Sequence, residues 1–123
     1  MIHLDTNFLI QALIAGSPAD ARLVELLASG ETAVISAVVW AEFLCGPVSA
    51  EAIAIAARLF PSPLPLQKPE AELAAEMFNG TGRRRGSLSD CMIAATAVCA
   101  RARLATENLT DFKRFEPYGL QVL

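Results

Sequence analysis

The sequence predicts an α/β fold: a short parallel central sheet of four to five strands, flanked by about seven helices in a three-layer sandwich. Three observations carry this. Short β-type runs (Ile2–Leu4, Ala33–Ile35, Leu104–Thr106, Leu120–Leu123) alternate with longer helical stretches, the arrangement that gives parallel strands joined by right-handed crossovers. The first run passes at once into Asp5-Thr6-Asn7, residue types that start helices. Finally, 54% of the 123 residues are apolar and only 19% are charged, enough to bury the core of one domain spanning residues 1–123.

The elements follow in order. Ile2-His3-Leu4 is too short for a helix and reads as a strand. A first helix is expected over Leu9–Ala15, stopped by Gly16-Ser17-Pro18. A second runs Asp20–Ser29, with Leu23, Leu26 and Leu27 on one face and Gly30 at its end. After the Ala33–Ile35 strand, Ser36 is placed to cap a third helix, Ala37–Cys45, which Gly46-Pro47 ends. A fourth helix covers Ser49–Phe60. Leu64-Pro65-Leu66 reads as an edge strand, the place in a sheet where proline is tolerated. A fifth helix, Pro69–Asn79, leads into a loop carrying Arg83-Arg84-Arg85. Ser87 and Asp90 have capping-box spacing at the start of a sixth helix, apolar nearly all round from Met92 to Ala100 and so expected to be central. Glu107–Phe112 is expected to form only a brief helical turn.

Composition narrows the function classes. A net charge of −3 gives no overall attraction to nucleic acid, so any such contact needs a local basic patch. The three cysteines, Cys45, Cys91 and Cys99, have no metal-site spacing. They lie in apolar segments and read as core residues of a reducing compartment. The sequence opens directly into a strand with no basic leader, and Glu42, Gly46, Pro47 and Glu51 interrupt its longest apolar stretch. A cytoplasmic location and no membrane span are therefore expected.

Three acids stand where a buried site could use them. Asp5 follows a strand, at the carboxyl edge where open α/β sheets place ligands. Glu42 interrupts an apolar helix, where an unpaired carboxylate is costly. Asp90 begins the apolar sixth helix. Read singly, each has a plainer role: Asp5 as a helix cap, Glu42 on the solvent side, Asp90 as a partner for the helix dipole. Together they suggest converging carboxylates, which need a cation or shared protons. Oxygen ligands without a histidine cluster favour Mg²⁺ or Mn²⁺ over zinc. The single histidine, His3, is expected on the strand face away from Asp5, so a histidine base is not expected. No Ser-His-Asp or Cys-His arrangement and no phosphate-binding glycine loop can be built.

These residues resemble a known family. Asp5-Thr6-Asn7 after a short strand, Ala41–Gly46 around Glu42, Asp90–Ala95, and Thr106-Glu107-Asn108 followed by Asp111-Phe112 are similar to the four motifs of PIN-domain ribonucleases, above all the VapC-like toxins of toxin–antitoxin systems. The likeness runs in order through nearly the whole chain. It implies a PIN-like fold and a Mg²⁺- or Mn²⁺-dependent endoribonuclease leaving 5′-phosphate and 3′-hydroxyl ends. Asp5, Glu42 and Asp90 match the acids that hold the metal. At the fourth place Asn108 stands where an aspartate is frequent. Asn108 is therefore read as a water-mediated ligand and Asp111 as a catalytic helper. Thr6, Asn7 and Thr106 would orient the acids. Arg83, Arg84 and Arg85 would hold the RNA backbone, or else form a solvated loop. The implied partners are RNA and a cognate antitoxin, and the apolar content of the first four helices predicts an exposed apolar patch used for a homodimer and for gripping an antitoxin segment. An RNA-processing nuclease without antitoxin, or a non-catalytic RNA- or protein-binding module, would fit the same residues.

Overall fold

The computed structural model describes residues 1–123. Strand β1 (Ile2–Leu4) is central and fully buried, with β2 (Ala33–Val34) on one side. On the other side come β3 (Arg103–Ala105) and then β4 (Gln121–Val122), giving the order β2-β1-β3-β4 with every pair parallel. Parallel pairing requires crossovers. Helices α1 (Thr6–Ala12) and α2 (Pro18–Ala28) carry the chain from β1 to β2. Helices α3 (Ala37–Cys45), α4 (Ala50–Leu59), α5 (Lys68–Gly80) and α6 (Leu88–Cys99) carry it to β3. The short α7 (Leu109–Lys113) and a 3-10 turn (Glu116–Tyr118) then lead to β4.

The register sets the site. Leu4 of β1 lies beside Ala105 of β3, and the Asp5 amide donates to the Ala105 carbonyl at 3.1 Å. The two strands therefore end level, and Asp5 and Thr106 leave the same sheet edge side by side. From β1 the chain proceeds to a neighbour on one side, and β3 lies on the other, so this edge is a topological switch point.

The core packs Ile2, Leu4 and Leu104 of the sheet against Leu9, Val39, Phe43, Met77, Ile93 and Phe115. Helix α6 is buried along most of its length at Cys91, Ile93, Ala94, Ala95, Thr96 and Ala97, as its all-round apolar pattern predicts. Its alanines let α5 lie close along it. No helix is long and apolar enough to cross a membrane.

Several boundaries differ from the sequence reading. Helix α1 spans Thr6–Ala12 rather than Leu9–Ala15 because the Asp5 carboxylate accepts from the Phe8 amide at 2.7 Å and starts the helix at once. The Leu64–Leu66 edge strand reduces to one bridge, Ser36 to Leu64, because the partner segment turns into α3 at Ala37 and offers no further extended residue to pair with. The Ser87–Asp90 capping box does not form. The Ser87 hydroxyl turns back to donate to the Arg84 carbonyl at 2.7 Å instead. The turn near Glu107–Phe112 is a five-residue helix, Leu109–Lys113, followed by a 3-10 turn that local patterning missed. Of the three cysteines only Cys91 is buried. Cys45 and Cys99, near helix ends, are exposed.

Candidate active site

A cleft of about 290 Å³ opens at the switch point, lined by Asp5, Thr6, Asn7, Ile10, Glu42, Asp90, Ile93, Asn108 and Phe112. Four stretches far apart in sequence supply it: the β1–α1 junction with α1, α3, α6, and the β3–α7 junction with α7. Asp5 is buried at the end of β1 and spends one oxygen on the Phe8 amide. Glu42 is half-buried, and the Thr6 hydroxyl donates to its Oε1 at 2.6 Å. It therefore has the partner that its place in an apolar helix demands. Asp90, in the first turn of α6, faces the same cleft.

The electrostatics reflect this crowding. Burial raises the Asp5 carboxyl above the ordinary carboxylate value, opposed by the Thr106 hydroxyl and the Phe8 amide and reinforced by Glu107 and Glu42. Burial likewise raises Asp90, with Arg114 pulling it down and Glu42, Asp111 and Asp5 pushing it up. Asp5 thus feels the charge of Glu42, and Asp90 that of Glu42 and Asp5, the condition a cation would relieve. The donor set is all oxygen and amide, which suits a hard divalent cation in kind. No three acidic, histidine or cysteine side chains are close enough as they stand to hold a metal ion.

The remaining sequence candidates divide. Asn108 lines the cleft and caps α7, its side chain accepting from the Asp111 amide at 3.4 Å. Thr106 is buried just beneath, and its hydroxyl accepts from the Asn108 amide at 2.9 Å. Asp111 stands outside the cleft lining. Its carboxylate accepts from Asn108 Nδ2 at 2.7 Å and lies 3.9 Å from Arg84 Nη1. Arg83, Arg84 and Arg85 are exposed on the loop before α6, and only Arg84 reaches a residue of the site, Asp111. Arg83 donates to Asn79 Oδ1 at 3.1 Å instead.

His3 does not line the cleft, but strand alternation is not the reason, since residues two apart share a face. Asp5 has left the strand to cap α1, whereas His3 is fully enclosed with both ring nitrogens unpartnered. Burial lowers its pKa to about 4, and its enclosure keeps it out of the cleft.

Sequence reasoning missed two groups. The apolar walls Ile10, Ile93 and Phe112 each lie about one helical turn beyond a site residue (Thr6 or Asn7, Asp90, Asn108), a spacing that could have found them. Arg114 is the other. Its Nη2 lies 3.8 Å from Asp90 Oδ2, and its guanidinium sits 4.7 Å from the centre of the Phe115 ring. The only sequence signal was a basic residue flanked by the core aromatics Phe112 and Phe115.

Comparison with known proteins agrees with this fold. The family model described as "PIN domain" matches residues 2–116. The chain is similar to one in the crystal structure of VapBC2 from Rickettsia felis bound to a promoter DNA fragment. That pair is 25% identical, with 100% of this chain and 98% of that one covered and a TM-score of 0.79. It is also similar to a chain of VapBC-1 from nontypeable Haemophilus influenzae, at 25% identity, 100% and 97% coverage and a TM-score of 0.71. A toxin–antitoxin complex from Klebsiella pneumoniae gives 27% identity, 91% and 90% coverage and a TM-score of 0.70. No curated protein matches the chain.

Proposed function

The chain belongs to the PIN-domain family, and from that premise we propose that it is a Mg²⁺- or Mn²⁺-dependent endoribonuclease, the VapC-like toxin of a toxin–antitoxin pair. The observation that carries this reading is one cleft drawing Asp5, Glu42 and Asp90 together from three separate elements, with Asn108 beside them. Similarity to chains of VapBC and other toxin–antitoxin complexes supports the toxin role.

Asp5, Glu42 and Asp90 are the residues that would hold the metal, with Asn108 as the water-mediated ligand. Such a cation would supply an acidified water and would offset the charge that otherwise repels a phosphodiester. Thr6 holds Glu42 through its 2.6 Å hydrogen bond. Asn7 and Thr106 set the orientation of the Asp5 turn and of Asn108. Water adds across the phosphorus–O3′ bond, leaving a 5′-phosphate and a 3′-hydroxyl. Asp111, braced by Asn108, is the catalytic helper at the rim. Arg83, Arg84 and Arg85 hold the backbone of the incoming strand, where phosphate contacts dominate affinity.

An apolar groove of about 320 Å³ between α1, α2 and α4, lined by ten apolar side chains of eleven, serves assembly. Val24, Leu27, Ile55 and Leu59 are exposed there. Such a surface receives an apolar segment of the antitoxin or a second copy in a homodimer. The free thiols fit a reducing cytoplasm.

The deciding experiment sequences the ends of purified total RNA after incubation with the protein and Mn²⁺. New 5′-phosphate ends made by the wild type and absent with Asp90→Asn are expected. Equal cleavage by both proteins would remove the acid-cleft reading.

A further inference from the structure

Each acid of the cleft needs something to hold it, and the three holders differ. The Phe8 amide fixes Asp5 at 2.7 Å, and the Thr6 hydroxyl fixes Glu42 at 2.6 Å. Asp90 has no comparable hydrogen bond, because the capping box that would have used it does not form. The group paired with it is Arg114, at 3.8 Å.

Arg114 is unusual in its own right. Its side chain is only 16% exposed, and Nε, Nη1 and Nη2 are all buried without a hydrogen-bond partner. A buried guanidinium with unused donors is costly unless it answers a nearby charge. It is held between α7 and the 3-10 turn by stacking on the buried Phe115 ring, so it cannot readily swing to solvent. Its planar fork is suited to a carboxylate, and a small rotation of Asp90 would close the gap to hydrogen-bond range.

We infer that Arg114 is the positioning residue for Asp90, as Thr6 is for Glu42: its buried guanidinium takes one oxygen of Asp90 and leaves the other turned to the cleft for the cation. This rests on the metal-dependent reading above. Arg114 touches neither RNA nor metal and acts only through Asp90. Outer partners of metal ligands commonly govern metal affinity about 10- to 100-fold.

The test compares wild type, Arg114→Met and Arg114→Lys. Methionine keeps an apolar stem on Phe115 without the fork, and lysine keeps the charge without the fork. Melting temperature is followed against Mn²⁺ concentration, since a ligand of the folded state raises it. Cleavage of total RNA is followed over the same titration. For Arg114→Met the Mn²⁺ midpoint is expected to rise about 10-fold or more, with excess Mn²⁺ restoring cleavage. Arg114→Lys is expected to fall between the two. If Arg114→Met does not fold, the lysine variant decides: a midpoint equal to wild type overturns the inference. Unchanged or lowered midpoints in variants of an active, Mn²⁺-stabilised protein also overturn it, while leaving the nuclease reading intact. A wild type that Mn²⁺ neither stabilises nor activates overturns both.

Discussion

Helix α1 borders two openings of opposite character. Its Thr6, Asn7 and Ile10 line the acid cleft, while Leu9, Ala12 and Leu13 line the apolar groove it shares with α2 and α4. The groove is made by regular helical spacing of apolar residues in adjacent elements. Small changes there alter how much oily surface meets water but leave no charge stranded. The cleft gathers single polar residues from distant segments, Asp5 and Glu42 each fixed by a short hydrogen bond and Asp90 facing Arg114. It is therefore the region where one substitution reaches furthest, because removing a partner leaves a charge without its compensation.

The largest expected effect tests that contrast directly. Asp90→Asn should lower RNA cleavage by at least about a hundredfold, the scale of losing a group engaged in the chemistry, whereas Leu59→Ser in the groove should leave the rate within about twofold of wild type. Comparable losses from both would erase the distinction between the regions.

Next comes pH. His3 lies in the strand that leads into the cleft and has a folded pKa of about 4 against an ordinary 6.5. Between those values the unfolded chain binds the extra proton. His3 therefore contributes stability that is fully present above pH 6.5 and lost as pH falls toward 4, roughly 3 kcal/mol in all. Asp5 and Asp90 have the opposite sign. Their raised folded pKa values mean the native state holds protons longer, so their contribution declines as pH rises just above the ordinary carboxylate range. His3→Val, which also removes two unpartnered buried nitrogens, should fold at least as well and should abolish or invert the slope of stability between pH 4 and 6.5. Urea unfolding across that range measures it, and an unchanged slope would reject the assignment to His3.

A smaller effect is expected from Thr6→Val, which deletes the donor to Glu42 and should raise the Mn²⁺ midpoint of thermal stabilisation about tenfold. On the groove side, Leu59→Asp should shift sedimentation at tens of micromolar from dimer to monomer with cleavage retained. A monomeric wild type under those conditions would assign the groove to the antitoxin segment alone. Least affected should be the fold of Asp5→Asn. Asparagine caps helices as well as aspartate does and relieves a carboxylate that burial disfavours, so its melting temperature should match or exceed wild type although cleavage is lost.

Much of this molecule was legible residue by residue. Every strand overlapped the apolar run predicted for it, β3 starting one residue early at Arg103, except that Leu64-Pro65-Leu66 did not make a strand, and α3 matched from Ala37 to Cys45 because a serine cap and a Gly-Pro stop bracket it. Asp5 showed why two readings of one residue need not compete: it caps α1 and also faces the cleft. Asp111 showed the reverse. It carries the right charge in the right segment, yet its hydrogen bond with Asn108 draws it to the rim. Arg114 was passed over because it lies outside the resembling motifs, and no local period marks it.

The sequence by itself determined the order and kind of the elements, the acids worth watching and, by resemblance, the family, because helical period, caps and breakers act within a few residues. Only the tertiary structure decided that β1 and β3 end level, that Asn108 rather than Asp111 lines the cleft, and that Arg114 comes to rest beside Asp90. Those outcomes depend on strand register and helix packing between segments as much as a hundred residues apart, and no local window of the chain contains that information.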